Sequence, residues 1–376
     1  MRRFTRQRVV PAAVTHEAAD TYPADLVEDM ATMGLFGVTI AEEHGGLGLD
    51  LGTYTSIVEE LAWGWMSVTG FLNTHVMAAS LISMFGTDAQ RARLLPTMAT
   101  GAVRGAYSMS EPDAGSDVAA ITTRAVRDGD EWVLDGTKAW VTNGRMAGVV
   151  AMLVRTPGVG GGGRHGDFSV VLVEKTPGAT TDGGITVGPN VGKLGYRGIE
   201  TVELSLADHR VPTDAILGGV PGRGFAQMMA AVELGRVNIA ARAVGVAQRA
   251  LDESLAYART RTTFGVPIAD HQAIAFQLAE MATKVTAARL LYRQAAADKQ
   301  AGGRGDLIAS MAKLFCAETC WEVCQAALRI HGGNGYATDY PIERLYRDAP
   351  LMVIGDGTSE VQKLVISRRL LEGHDD

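Results

Sequence analysis

From about residue 220 onward, apolar residues recur at three- and four-residue steps over lengths that only long helices can use. Val237, Ala240, Val244, Ala247, Leu251 and Leu255 mark one stripe, and Ile274, Leu278, Met281, Val285, Ala288 and Tyr292 a second. Ile308, Met311, Phe315, Val323, Ala327 and Ile330 mark a third. A shorter fourth stripe (Val361, Leu364, Val365, Leu371) follows the segment Ile354-Gly355-Asp356-Gly357-Thr358-Ser359-Glu360-Val361-Gln362. Each stripe needs a partner to bury its apolar face, and four of this length satisfy one another as an antiparallel bundle.

Upstream the pattern changes twice. Residues 1–101 read as helical: Pro23 suits the start of a helix carrying Leu26, Met30 and Met33 inward. Further helices are expected across Thr53–Ala62 and Ser67–Met84, and Thr87 with Gln90 forms a capping-box pattern. Near residue 102 the period shortens. Strand-like runs follow at 102–110, Ile121–Val126, Glu131–Leu134, Lys138–Thr142, Val149–Val154, Phe168–Val173 and Thr201–Leu206, with Asp135-Gly136 as a hairpin signal. The expected fold is α+β: an N-terminal helical domain (1–101), a middle β-barrel-like or sandwich domain (102–216) and a C-terminal four-helix bundle (217–376).

Composition narrows the function. Of 376 residues, 47% are apolar and 20% charged, which argues for packed cores, and a net charge of −7 with no basic stripe argues against nucleic acid as a partner. No run of eighteen apolar residues is present, so no membrane span is expected. The basic start Met1–Arg8 lacks the apolar core of a signal peptide and reads as a trimmed first helix. Three cysteines make no disulfide framework and point to a reducing cytoplasm. Cys316, Cys320 and Cys324 would line one helix face, where small contact residues explain them better than a metal, so no metal is expected. Gly158-x-Gly160-x-x-Gly163 matches a dinucleotide fingerprint, but it leads into a strand rather than a helix and is rejected; the surrounding loop, Pro157–Gly166, is expected to be mobile.

Five stretches carry chemistry. Ser108-Met109-Ser110-Glu111-Pro112-Asp113-Ala114-Gly115-Ser116-Asp117 ends a strand with hydroxyls and turn residues suited to a polar ring edge or a phosphate, or to a plain turn. In Lys138-Ala139-Trp140-Val141-Thr142-Asn143-Gly144, strand alternation puts Trp140 and Thr142 on one face, which suits a flat heteroaromatic ligand, or a core indole. Arg259–Gly265, with Arg261 and Phe264, ends one long helix before His271-Gln272-Ala273 begins the next; arginine there can hold a pyrophosphate. Arg329-Ile330-His331-Gly332-Gly333-Asn334-Gly335-Tyr336 leaves bare backbone after the third helix. In the last stretch Asp356 stands between two glycines, ahead of a helix N-terminus capped by Thr358 or Ser359 that favours an anionic group.

Taken in order, SEPDAGSD, WVTNG, RTTFG with HQA, RIHGGNGY and IGDGTSE resemble the acyl-CoA dehydrogenase family over essentially the whole chain, including its helical, β, helical order. The resemblance implies FAD between the β domain and the C-terminal bundle. Met109 and Ser110 would then meet the flavin edge, with Ser116 between cofactor and substrate. Trp140 would flank the ring and Thr142 would bond near its N5. Arg261, Phe264 and Gln272 would hold the dinucleotide across a subunit interface, with Arg329, Gly332 and Gly333 near its phosphate–adenosine part, and Thr358 and Glu360 would contact FAD from the last helix. Ser116, Glu233, Arg236 and Gly357 would face the acyl-CoA. Asp356 would take the α-proton while the β-hydride goes to the flavin. The thioester carbonyl would be held by a ribityl hydroxyl and the backbone N–H of the base residue. A carboxylate stripped of water by the substrate is a stronger base. Members of the family are homotetramers, dimers of dimers, that pass electrons to an electron-transfer flavoprotein in fatty acid or amino acid catabolism.

Two departures matter. Most relatives carry Glu at the base position; Asp356 reaches less far by on the order of 1 Å. A subset places the base on the first long C-terminal helix, at the position of Gly235 here, and Glu233 lies two residues off, on another face. Nitroalkane oxidases share the fold and use Asp at the matching place, so an oxidase of a non-CoA substrate is a second reading, and a non-catalytic flavin-binding subunit a third. Arg329 also replaces the Gln that many relatives carry. The acyl chain is expected to run near Phe71–Ile82 and Phe225–Val232, its length and branching unread.

Overall fold

The computed structural model describes residues 1–159, 166–302 and 305–372. The chain opens with α1 (Arg2–Phe4) and α2 (Val10–Ala19), joined by a π-helical turn over Thr5–Val9, then α3 (Ala24–Thr32), α4 (Leu51–Gly64), α5 (Val68–Phe85) and α6 (Asp88–Ala99). Pro23 stands just outside α3 as its N-cap rather than inside it. The expected capping box opens α6: Thr87 Oγ1 accepts from Gln90 N at 3.2 Å, and Gln90 Oε1 accepts from Thr87 N at 3.0 Å. Two of the four orphan N–H groups of that helix start are thereby satisfied. α5 is long and apolar enough to cross a membrane, but 78% of it is buried inside the protein.

The middle of the chain forms one curled eight-stranded sheet of β1 (Gly105–Ser108), β2 (Arg124–Asp128), β3 (Glu131–Thr142), β4 (Val149–Arg155), β5 (Phe168–Glu174), β6 (Thr181–Asp182), β7 (Ile185–Val187) and β8 (Thr201–Pro212). The order is β1-β4-β2-β3-β8-β7-β6, with β5 paired to β4. β4 and β5 are buried almost throughout, because one of their faces fills the sheet interior and the other packs on α5, α6 and α7.

One expectation fails here. Asp135-Gly136 is not a hairpin; both runs it was to separate belong to the single strand β3. The hairpin turn falls at Gly129-Asp130, between the paired Asp128 and Glu131. Gly136, at φ 140°, instead marks a register shift against β8, and a Cβ there would lie 2.6 Å from Thr123 Oγ1. Glycine in a strand interior signals a bulge or a close approach as readily as a turn. The mobile loop and the rejected fingerprint fall in part on 160–165, outside the described residues.

The last third holds α7 (Gly224–Thr260), a short hairpin of β9 (Thr262–Thr263) and β10 (Val266–Pro267), α8 (Gln272–Gln300), α9 (Asp306–His331), α10 (Ile342–Asp348), α11 (Pro350–Ile354) and α12 (Ser359–Leu371). The four apolar stripes become α7, α8, α9 and α12, as the periodicity requires. The core shared by α7, α8 and α9 continues into α4 and α5, while α12 lies on α9 with Ser359 and Gln362 buried and Leu364 and Leu371 exposed. Cys316, Cys320 and Cys324 are all buried along α9, and Cys316 Sγ donates to Ala288 O of α8 at 3.3 Å.

Candidate functional site

α11 ends at Ile354, and the loop to α12 carries Asp356 in left-handed backbone, φ 51°, followed by Gly357 at φ 90°. Aspartate tolerates that region better than most side chains. The geometry is held from below by Gln362, fully buried on the first turn of α12, whose amide donates to Gly357 O at 2.9 Å and to Asp356 O at 3.4 Å. Thr358, not Ser359, caps α12: its Oγ1 accepts from Val361 N at 3.3 Å, while Ser359 donates to Glu318 at 2.6 Å.

The carboxylate itself faces three elements. Tyr107 of β1 donates its hydroxyl to Asp356 Oδ1 at 2.5 Å, and Asn73 of α5 reaches Oδ2 at 3.5 Å. A Cβ built on Gly235 of α7 would sit 3.0 Å from Oδ2 and 3.1 Å from Met77 Sδ. Position 235 is therefore the place on α7 from which a side chain would reach the same point in space. Burial, then the Asp356 charge, pushes the Tyr107 phenol far up, so it stays a donor. Arg236, next to Gly235 on α7, is buried and donates to Ser310 Oγ at 3.2 Å. Lys313 of α9 is fully buried with no hydrogen-bond partner on Nζ; burial pulls its ammonium down to about 8, against the pull of Asp356 and Glu318. Glu233 is turned away into an ion pair with Lys299 of α8 at 2.5 Å.

The loop after β1 is built on a buried ion pair. Lys138 of β3 meets Glu111 at 2.9 Å and also donates to Met109 O at 3.2 Å. Glu111 further accepts from Thr122 N at 2.7 Å, Thr122 Oγ1 at 2.9 Å and Thr123 N at 2.9 Å. Burial works against that carboxylate, but Lys138 and the N–H donors hold it down to about 2. Ala139 N donates to Ser110 O at 2.9 Å, so Met109 and Ser110 lie alongside Lys138–Trp140. Ser116 stands exposed at the end of the loop.

Trp140 and Thr142 both lie away from the buried side that Val141 occupies, but not through regular strand geometry. β3 is irregular between Lys138 and Val141, and Trp140 takes φ 59° with 63% of its surface exposed, while Val141 beside it is fully buried. A large indole at a left-handed position in an open setting is held out for something to lie on it. With Met109, Ser110 and half-buried Thr142 at the same strand end, it fits one face of a flat heteroaromatic ring.

Most of the remaining positions lie on open surface. Arg261, Gln272, Arg329, Gly332 and Gly333 are exposed, and Phe264, at φ 52°, is 98% exposed. The hairpin of β9 and β10 carries Phe264, and Thr263 Oγ1 bonds His271 Nε2 at 2.9 Å. Nothing lies within 4 Å of a Cβ built on Gly332 or Gly333. Thr358 is half-buried and Glu360 exposed at the start of α12. The structure thus gathers Asp356, Gly357 and Arg236 at one site with Met109, Ser110, Trp140 and Thr142 nearby on the sheet. It leaves Arg261, Phe264, Gln272, Arg329, Gly332 and Gly333 on open surface. Tyr107, Asn73, Lys313 and Gln362 are additions the sequence did not single out. A polar residue within the apolar run Phe71–Ile82, such as Asn73, was the available signal.

Family models for the acyl-CoA dehydrogenase N-terminal, middle and C-terminal domains match residues 1–102, 106–209 and 222–371. A (2S)-methylsuccinyl-CoA dehydrogenase of Cereibacter sphaeroides is 42% identical over 99% of this chain and 68% of its own length. Butyryl-CoA dehydrogenase from Megasphaera elsdenii superposes with a TM-score of 0.92 at 32% identity, covering 98% of this chain and 96% of that one. A glutaryl-CoA dehydrogenase in complex with glutaryl-CoA superposes with a TM-score of 0.92 at 34% identity, covering 99% and 93%.

Proposed function

Because this chain belongs to the acyl-CoA dehydrogenase family, whose members are FAD flavoproteins, we propose that it oxidises an acyl-CoA thioester to the 2-enoyl-CoA with Asp356 as the base. The observation that carries this reading is the placement of the Asp356 carboxylate. It sits on a glycine-flanked left-handed loop, with Oδ2 3.0 Å from where a Cβ on Gly235 would stand and with Tyr107 and Asn73 fixing its two oxygens. The α-C–H bond breaks as the proton passes to a carboxylate oxygen. Bound FAD supplies the two-electron acceptor for the β-hydrogen. Tyr107 and Asn73 keep the carboxylate from rotating away, so the shorter reach of aspartate is met by a fixed position rather than by a longer arm. Arg236 and Lys313 are two buried cations close enough to feel the charge of Asp356.

FAD would be held by Met109, Ser110, Trp140 and Thr142 on the sheet side. Thr358 and Glu360 would hold it at α12, and Arg261, Phe264, Gln272, Arg329, Gly332 and Gly333 on a second copy of the chain. The exposed Phe264 and the open backbone at Gly332 support that last assignment, and with it a homotetramer built from dimers. An electron-transfer flavoprotein is the acceptor that this family membership favours.

The test is anaerobic stopped-flow of the yellow holoenzyme against a panel of acyl-CoA thioesters. Rapid bleaching by one of them supports the dehydrogenase. Turnover of a nitroalkane in air, with no bleaching by any thioester, would replace it with the oxidase that an aspartate base also suits.

A further inference from the structure

α7 presents one face to Asp356, and two turns along that face stands a residue that dehydrogenation does not use. Gly235, Asn238 and Arg242 are spaced by three and four and so share a side of the helix. Arg242 is 2% exposed. Its guanidinium donates to Asn238 Oδ1 at 3.1 Å and, at 3.5 Å each, to Tyr196 Oη and Thr69 O; it also lies over the Tyr196 ring at 5.5 Å. Nε has no partner, and among the described residues no carboxylate lies within 4.0 Å of it. Asn238 is itself anchored, donating to Tyr54 Oη at 2.7 Å. A buried cation with long neutral contacts and a free donor is costly unless something anionic completes it.

Two rulers place this group relative to the base. The bond to Asn238 shows the Arg242 side chain leaning toward the N-terminus of α7, as helical side chains do, which brings the guanidinium to within about one turn of Gly235. On α5, Thr69 contacts the guanidinium and Asn73 the Asp356 carboxylate, again four residues apart. At 1.5 Å per residue, both give a separation of roughly 5–6 Å along the helices. Tyr196 closes the far side: its hydroxyl presses so closely on α5 that a Cβ at Gly70 would lie 1.8 Å from it. The charges of Asp356 and Arg242 both bear on the phenols of Tyr54, Tyr107 and Tyr196, so base and cation share one polar neighbourhood.

We propose that Arg242, held by Asn238 and Tyr196, receives a carboxylate at the far end of the acyl chain, and that the substrate is a short CoA thioester of a dicarboxylic acid. This rests on the thioester reading above. Carbon–carbon bonds of about 1.5 Å let an acyl group of four or five carbons put its α-carbon at Asp356 and its terminal carboxylate within charge-assisted hydrogen-bond reach of the guanidinium. A longer apolar chain would press a methyl end onto a buried cation and strip its remaining solvation.

The experiment compares matched thioesters on the holoenzyme without oxygen: succinyl-CoA against butyryl-CoA, and glutaryl-CoA against pentanoyl-CoA. The expected result is that one carboxylated member bleaches the flavin with at least a hundredfold advantage in rate over dissociation constant, most of it in the dissociation constant. The monomethyl ester of the preferred thioester should lose that advantage, and Arg242→Met should reverse the order of the pair. If Arg242→Met fails to fold, the wild-type pairs and the ester still decide. Bleaching by the uncharged members at equal or greater efficiency would overturn the assignment of Arg242 while leaving the dehydrogenase standing. No bleaching by any of the four, or by the wider thioester panel, would overturn both.

Discussion

The loop that carries Asp356 and the hairpin that carries Phe264 both hold a non-glycine residue in left-handed backbone, φ 51° and φ 52°, yet their surroundings are opposite. Around Asp356 the chain supplies its own bracing: Tyr107 and Asn73 on the carboxylate, Gln362 on two carbonyls, Thr358 on the helix that follows. Phe264 stands 98% exposed, its ring edge-on to His271 at 6.0 Å. An unfavourable backbone angle persists only where surrounding contacts over-determine it. In the first region those contacts come from β1, α5 and α12 of the same chain. In the second the side chain points away from the chain's own core, and that exposure is what supports the proposed contact with FAD across a subunit interface.

The contrast can be tested by changes on either side. Asp356→Asn removes the base but keeps the shape. The flavin-bleaching rate with the preferred thioester should fall about 10²–10⁴-fold with FAD content unchanged, measured by stopped-flow and absorbance. Unchanged turnover would remove Asp356 from the chemistry altogether.

The self-braced region should also show in acid. His75 of α5 is fully buried, two residues from Asn73, and its Nδ1 accepts from Gly105 N at 3.0 Å. Burial pulls its imidazole down from 6.5 to about 3. The unfolded chain therefore takes up a proton that the folded one refuses. Stability is full above pH 6.5 and falls as pH drops toward 3, by on the order of 2–3 kcal/mol at pH 4.5. Denaturant unfolding at pH 7 and 4.5 should show this loss, and His75→Gln should flatten it; an equal slope in both proteins would place the acid sensitivity elsewhere.

On the open side, Phe264→Ala should leave the monomer fold intact while weakening FAD retention and assembly by roughly tenfold or more, read by gel filtration and flavin release. No change in either would make that hairpin plain surface. The smallest effect is expected at Gly357→Ala. At φ 90° an alanine is strained, and its Cβ would meet Gln362 Nε2 at 2.7 Å, so thermal unfolding should report a loss of about 1 kcal/mol. Activity should drop with it, because the same contact sets the base. An alanine variant of full stability and activity would show that Gln362 does not hold the loop.

Most of the fold was legible from period alone. The stripes that became α7, α8 and α9 are long enough that no alternative structure buries them, and the shift to short runs after residue 102 announced the sheet. Local turn chemistry misled at Asp135-Gly136, because whether such a pair turns the chain or bulges it depends on what lies across the sheet, here Thr123 and β8. The left-handed backbone at Trp140 was not legible for the same reason: an irregularity in strand pairing leaves no mark on the sequence.

For the site, the sequence by itself determined the carboxylate and its setting. One acid between two glycines, before a capped helix, has few conformations open to it, and motif order fixed the family and the cofactor. Tertiary structure decided what surrounds that carboxylate. Tyr107 lies 249 residues from Asp356 in the chain and Asn73 lies 283, and neither sits in a spacing that would betray the contact. The sequence does not single out Arg242, which lies off the stripe running from Val237 to Leu255, where a charge ordinarily faces solvent. Only the packing of α5 and the Tyr196 segment onto α7 turns it inward, because burial is a property of what covers a residue rather than of the residue itself.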